Sequence, residues 1–159
     1  AGPIIMLVSA SAAWINSRLW TRRAPQPVPV MDGVWLGRVP CAALPAPLVG
    51  VVDACAELSC RAPGAAYASV PMLDLVVPTP HQLRETAEVI ERLRAHGPLL
   101  VCCALGYSRS AASVAAWLLR SGRATDTDAA VAIVRTARPG VVLGAAHLHA
   151  ITAAAGVRT

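Results

Sequence analysis

One stretch constrains this chain more than any other: residues 99–122 read LLVCC, then ALGYSRS, then a run of small and apolar residues to Arg120 and Gly122. Leu99 to Cys103 carry no polar alternation, so they specify a strand buried on both faces, in the middle of a sheet. The run from about Ser110 to Arg120 is rich in small residues and stops at Gly122, which predicts a helix. A buried strand that turns through a short loop straight into a helix is the working unit of an α/β fold.

The remaining chain fits that unit. Val34-Trp35-Leu36-Gly37, Leu48 to Val52 and Tyr67 to Leu73 are apolar runs of strand length. Thr79-Pro80-His81-Gln82 is a helix start, with Thr79 as cap, Pro80 at the first helical position and Gln82 completing a capping box. Leu83, Ala87, Ile90 and Leu93 follow at helical spacing, and Gly97-Pro98 ends the helix. Thr125 or Asp126 can cap a further helix to Ala137, and a last one is predicted from about Gly144 to Ala155. The expected fold is therefore α/β, a central, mostly parallel sheet flanked by helices. One domain, 30–159, follows an N-terminal apolar helix and linker, 1–29.

Composition narrows the partners. Apolar residues are 55% of the 159 and charged residues 14%, which excludes a disordered chain and leaves apolar surface for a use beyond one core. All fourteen basic residues are arginine, and phenylalanine is absent, the mark of a GC-rich, bacterial-type genome. The net charge of +5 favours anionic ligands. The arginines are scattered and lack interleaved aromatics, so nucleic acid is not an expected partner. Five cysteines, Cys41, Cys55, Cys60, Cys102 and Cys103, form no spaced ligand set, and His147 and His149 point to different faces of a helix. No metal or cofactor is expected, and the thiols read as reduced, in a cytoplasmic setting.

Gly2 to Ile15 is uncharged and mostly apolar, and Arg18, Arg22 and Arg23 follow it. Such a helix reaches roughly 21 Å, short of the roughly 30 Å hydrocarbon core. Basic residues after the apolar run read as the cytoplasmic flank of a membrane segment, not as a secretory signal. Trp14 and Trp20 suit a membrane interface. A helix lying in a groove of the domain is the other reading. Ala24 to Pro29, APQPVP, reads as a stiff linker.

Cys103 to Arg109 fits the pattern Cys, five residues, Arg. The pattern alone is weak: Cys55 to Arg61, CAELSCR, matches it too, and chance supplies roughly 0.4 matches at this composition. Context separates them. The Cys55 copy has no glycine in its loop, whereas the Cys103 copy follows a buried strand, contains Gly106 and enters a helix. There the backbone N–H groups of Ala104, Leu105, Gly106, Tyr107, Ser108 and Arg109 can turn inward and, with the helix dipole, bind an anion. Gly106 allows the curl. Arg109 offers a planar fork for two oxygens of the anion. A cysteine at the mouth of this positive cradle becomes a thiolate nucleophile, and Ser108 and Ser110 add hydroxyl donors. Breaking an ester of the bound anion needs a proton donor, and Asp74, 29 residues before Cys103 at the end of an apolar strand, is the best candidate. Asp53 and Glu57 are weaker, because they fit a solvated helix face.

Val101-Cys102-Cys103-Ala104-Leu105-Gly106-Tyr107-Ser108-Arg109-Ser110 resembles the signature loop of dual-specificity protein phosphatases. Val34 to Gly37 and Val51-Val52-Asp53 are similar to that family's first two strands, Pro71 to Asp74 to its general-acid segment, and Arg138-Pro139 to the turn before its last helix. The resemblance spans about residues 30 to 155. It implies a metal-free, two-step reaction: Cys103 takes the phosphoryl group while Asp74 protonates the leaving oxygen, water then attacks with Asp74 as base, and Ser110 assists thiolate departure. Arg109 and the loop amides hold the equatorial oxygens. The family usually has histidine where this chain has Cys102, which implies weaker support for the thiolate and lower activity in acid. Relatives that act on phosphoinositides or phosphatidylglycerophosphate tend to carry basic residues where Ala104 and Tyr107 stand. The resemblance thus implies phosphotyrosine and/or phosphoserine/threonine in proteins as substrate. A membrane-associated lipid phosphatase on the cytoplasmic side is the first alternative, and a phosphate-binding pseudophosphatase the second. A rhodanese-like loop would close one residue shorter.

Overall fold

The computed structural model describes residues 12, 14–40, 44–58 and 62–156. The expectations for residues 2–11 and 13, for Cys41 and Cys60, and for the second motif's Arg61 lie outside the described residues. A short helix α1, residues 14–20, leads into five strands, β1 Val28–Met31, β2 Val34–Arg38, β3 Gly50–Cys55, β4 Ala66–Met72 and β5 Leu99–Cys103. Helix α2 Pro80–Arg94 lies between β4 and β5; α3 Arg109–Arg120, α4 Thr127–Ala137 and α5 Ala145–Ala154 follow β5.

The sheet order is β1-β2-β5-β3-β4. All pairs are parallel except β1 with β2, so the sheet is mixed. The unbroken apolar run β5 lies at its centre with all five residues buried. It is in register with β2 from Val34↔Leu99 to Arg38↔Cys103, and with β3 from Gly50↔Leu99 to Asp53↔Cys102. Side chains alternate across a strand, so Cys102 and Cys103 face opposite ways. Cys103 joins Val34, Leu36, Val52 and Val101 in the core that α2–α5 cover. Cys102 joins Val51, Cys55 and Leu100 on the other face, closed by Val39, Leu48, Ala62 and Ala104 from the loops.

The helix starts are built as the residues dictate. Thr79 Oγ1 accepts from Gln82 N and Gln82 Oε1 accepts from Thr79 N, with Pro80 first in α2. Asp126 caps α4 by accepting from Ala129 N. Strand β1 has no counterpart among the predicted elements. Its signal is Asp32-Gly33, with φ of 47° and 81°, the two-residue turn that joins tight hairpins. The domain boundary expected at residue 29 falls inside this strand. The preceding stretch is tied down, since Arg138 donates to the carbonyls of Ala24 and Gln26 at 3.1 and 3.2 Å. Helix α1 turns its small polar side inward. Ser17 and Thr21 are buried, Arg18 Nη1 donates to Val39 O (3.0 Å), and Trp14, Ile15, Leu19 and Trp20 are exposed.

Candidate active site

Cys103 ends the central strand and is 2% exposed. Gly106 N donates to its Sγ at 3.3 Å, and Ser110 Oγ stands 3.1 Å from it. Each of these groups can donate a hydrogen bond to the sulfur. The turn depends on Gly106. Its φ is +75°, and a Cβ there would lie 2.4 Å from the Gly37 carbonyl carbon and 2.5 Å from its oxygen. Ser108 is the N-cap residue of α3, Arg109 its first residue, and no acidic side chain occupies the first turn. The helix therefore directs the positive end of its dipole at the loop.

The outside of the loop is anchored at four carbonyls. Cys103 O accepts from Val39 N (2.9 Å), Tyr107 O from Val142 N (2.7 Å), Leu105 O from Arg138 Nη2 (3.2 Å) and Ala104 O from Ser17 Oγ. A trans peptide points its carbonyl and the next N–H in opposite directions. Holding the carbonyls of Ala104, Leu105 and Tyr107 outward thus turns the N–H groups of Leu105, Gly106 and Ser108 the other way, as Gly106 N on Cys103 Sγ demonstrates. Arg138 is 2% exposed, and its guanidinium also stacks 4.7 Å from the Tyr107 ring centroid.

Arg109 is buried at the same mouth. Its Nη2 donates to Glu57 Oε1 at 2.6 Å, and its Nη1 to Glu57 Oε2 at 2.7 Å and to Met72 O at 3.0 Å. Asp74 Oδ1 reaches Nη2 at 3.1 Å. Burial works against the guanidinium charge, yet the Glu57 bonds and the nearby Cys103 and Glu57 charges outweigh it and hold the group above its ordinary value. Burial likewise pushes Glu57 up, and Arg109 pulls it below the usual glutamate range. The fork is thus aimed and charged before any anion arrives.

Cys103, Arg109, Ser110 and Asp74 are therefore brought together, with the loop Ala104–Ser108 around them. Two readings need correction. Asp53 is not on a solvated helix face: it is fully buried in β3, where it accepts from Cys55 N and Tyr67 Oη, each at 2.9 Å. Glu57 is not a solvated charge either, because the bend after β3 lays it against Arg109. Neither partnership leaves a periodic trace in the chain. Cys55, the second motif's cysteine, also lies beside Arg109, its Sγ 4.0 Å from Nη1. Burial and then the Glu57 charge push its thiol up to about 12. His147 of α5 is a further missed neighbour, its Nε2 3.0 Å from Ser108 Oγ. Among the described residues no group of three or more His, Cys, Asp or Glu could hold a metal ion, and no described helix is long and apolar enough to cross a membrane.

Residues 48–155 match the family model "Dual specificity phosphatase, catalytic domain". This chain belongs to that family. It is a cysteine-dependent phosphatase, with the mixed sheet and flanking helices of the dual-specificity phosphatases. Human DUSP28 is 26% identical to this phosphatase, with a TM-score of 0.71 over 83% of this chain and 94% of its own. PTPMT1 in complex with PI(5)P shares the fold at 20% identity, with a TM-score of 0.65 over 80% and 92%. So does the human tyrosine phosphatase-like serine/threonine/tyrosine-interacting protein, at 20% identity and a TM-score of 0.70 over 84% and 97%. No curated protein sequence matches the chain.

Proposed function

We propose that this phosphatase hydrolyses phosphotyrosine and/or phosphoserine/threonine in proteins through a cysteinyl-phosphate. The contact set at one sulfur supports this reading most: Cys103 at the end of β5 receives the Gly106 amide and lies beside Ser110 at the start of the helix that carries Arg109. In this reading the Cys103 thiolate forms the S–P bond as the P–O bond to the leaving oxygen breaks, and that oxygen takes its proton from Asp74. Water then forms a new P–O bond, giving its proton back to Asp74, and the S–P bond breaks to return the thiolate, which accepts from Ser110. Asp74 rests on Arg109 Nη2, where the substrate's own oxygens would bind. A phosphate competes for that nitrogen and frees the carboxyl for the leaving oxygen. Loop positions Ala104, Leu105 and Tyr107 are uncharged, which suits a singly phosphorylated group.

Exposed apolar surface supports a second reading, a lipid phosphate at the cytoplasmic side of a membrane. Helix α1 presents Trp14, Ile15, Leu19 and Trp20 outward next to Arg22 and Arg23, and Leu73, Leu75 and Val76 flank Asp74, Leu75 being 99% exposed. Retention of Cys103, Arg109, Ser110 and Asp74 together weighs against a pseudophosphatase, since binding alone needs neither thiol nor acid. The test is turnover of an aryl phosphate, phosphopeptides and micellar phospholipid by wild type and Cys103→Ser, without added metal. Phosphopeptide turnover that Cys103→Ser abolishes is the expected result. Phospholipid turnover far above it selects the lipid reading, and inactivity with retained phosphate binding selects the pseudophosphatase.

A further inference from the structure

His147 faces the phosphate loop from the far end of the chain, and its two ring nitrogens have different partners. Gly144 N lies 3.3 Å from Nδ1 as hydrogen-bond donor. A backbone N–H can only donate, so Nδ1 is the bare, accepting nitrogen and the ring proton sits on Nε2. Nε2 is 3.0 Å from Ser108 Oγ and therefore donates to it. Ser108 is the N-cap residue of α3, yet its side chain makes no capping bond to the helix. A hydroxyl has one proton and two lone pairs. With a lone pair filled by His147 and no cap to serve, the Ser108 proton is left to point at whatever the loop holds.

We infer that His147 is a positioning residue of the phosphate site, fixing the Ser108 hydroxyl as a donor to the bound oxyanion through an Nε2–H to Oγ hydrogen bond. The inference rests on the phosphatase reading and extends it to a residue on α5, 39 positions beyond Ser108. The backbone around Ser108 is already rigid, since Tyr107 O is tied to Val142 N and Ser108 O accepts from Ala112 N, both at 2.7 Å. The serine rotor is the remaining freedom, and His147 removes it. Burial lowers the His147 pKa and so favours the neutral ring whose bare nitrogen Gly144 requires.

The test is calorimetric binding of inorganic phosphate to wild type, His147→Phe, His147→Gln, Ser108→Ala and the His147→Phe/Ser108→Ala double variant, with thermal melts alongside. His147→Phe and Ser108→Ala should each weaken phosphate roughly three- to tenfold, the worth of one hydrogen bond. The double variant should be no weaker than the single ones, and His147→Gln, whose amide can donate at similar reach, should recover most of the affinity. Losses that multiply in the double variant, or wild-type affinity in His147→Phe, overturn the inference while the phosphatase reading stands. No phosphate binding by wild type removes both. A His147→Phe protein that melts early but has lost affinity that Gln restores still supports the positioning role, because packing alone would not bring that affinity back.

Discussion

Cys103 and Cys55 end neighbouring parallel strands, each opens a Cys-x5-Arg match, and they are 2% and 4% exposed. Burial therefore does not distinguish them. What faces each sulfur does. Cys103 meets an amide N–H and a hydroxyl where a helix begins, so charge on its sulfur is met by donors. Cys55 meets the Glu57 carboxylate, and burial together with that charge pushes it up to about 12, which keeps it a thiol. Reactivity thus belongs to the chain that follows the cysteine: a glycine-turned loop and a helix start after one, a bend carrying a carboxylate after the other.

The largest effect that could break this comparison is at the nucleophile. Cys103→Ser should cut aryl phosphate turnover at least about ten-thousandfold, measured in single-turnover kinetics. Gly106→Ala should come next, on the order of a hundredfold or more, because a side chain both meets the Gly37 backbone and misaims the loop amides. Asp74→Asn should slow turnover about a hundredfold for poor leaving groups and much less for aryl phosphates that leave without protonation; an equal loss on both would remove Asp74 as the acid. Glu57→Gln should lower stability by about 1–2 kcal/mol in urea melts, below the cost of breaking a fully buried pair because Glu57 is partly exposed. Its sign with pH is set by the lowered folded value. The pair's contribution is fully present above the ordinary glutamate range and is lost as acid carries the pH through the lowered value, so the wild-type advantage over Glu57→Gln should shrink in acid. Cys55→Ser should change turnover by less than about threefold, and a loss near that of Cys103→Ser would collapse the distinction between the two cysteines.

The elements that depend on near neighbours in the chain were legible as letters. Leu99–Cys103 had to be a central strand because five apolar residues in a row have no wet face. Thr79, Pro80 and Gln82 had to open α2 because a capping box closes over three residues. Cys103, Gly106 and Arg109 belong to one loop, so their joint geometry follows from its turn. Strand β1 was also marked, by Asp32-Gly33, although its run is broken by Pro29 and so reads poorly as a strand.

By itself, then, the sequence determined the α/β class, the strand, loop and helix that present Cys103, and the arginine that follows six residues later, all of which rest on short-range stereochemistry. Only the tertiary structure decided that Glu57 braces that arginine, that Arg138 and Ser17 hold the loop from outside, that His147 meets Ser108, and that Cys55 stays a thiol. These pairs lie between 33 and 87 residues apart in the chain, apart from the Cys55–Glu57 neighbours. No propensity or period links residues so distant. Sheet order and helix packing bring them together, and they leave no mark on the sequence local to either partner.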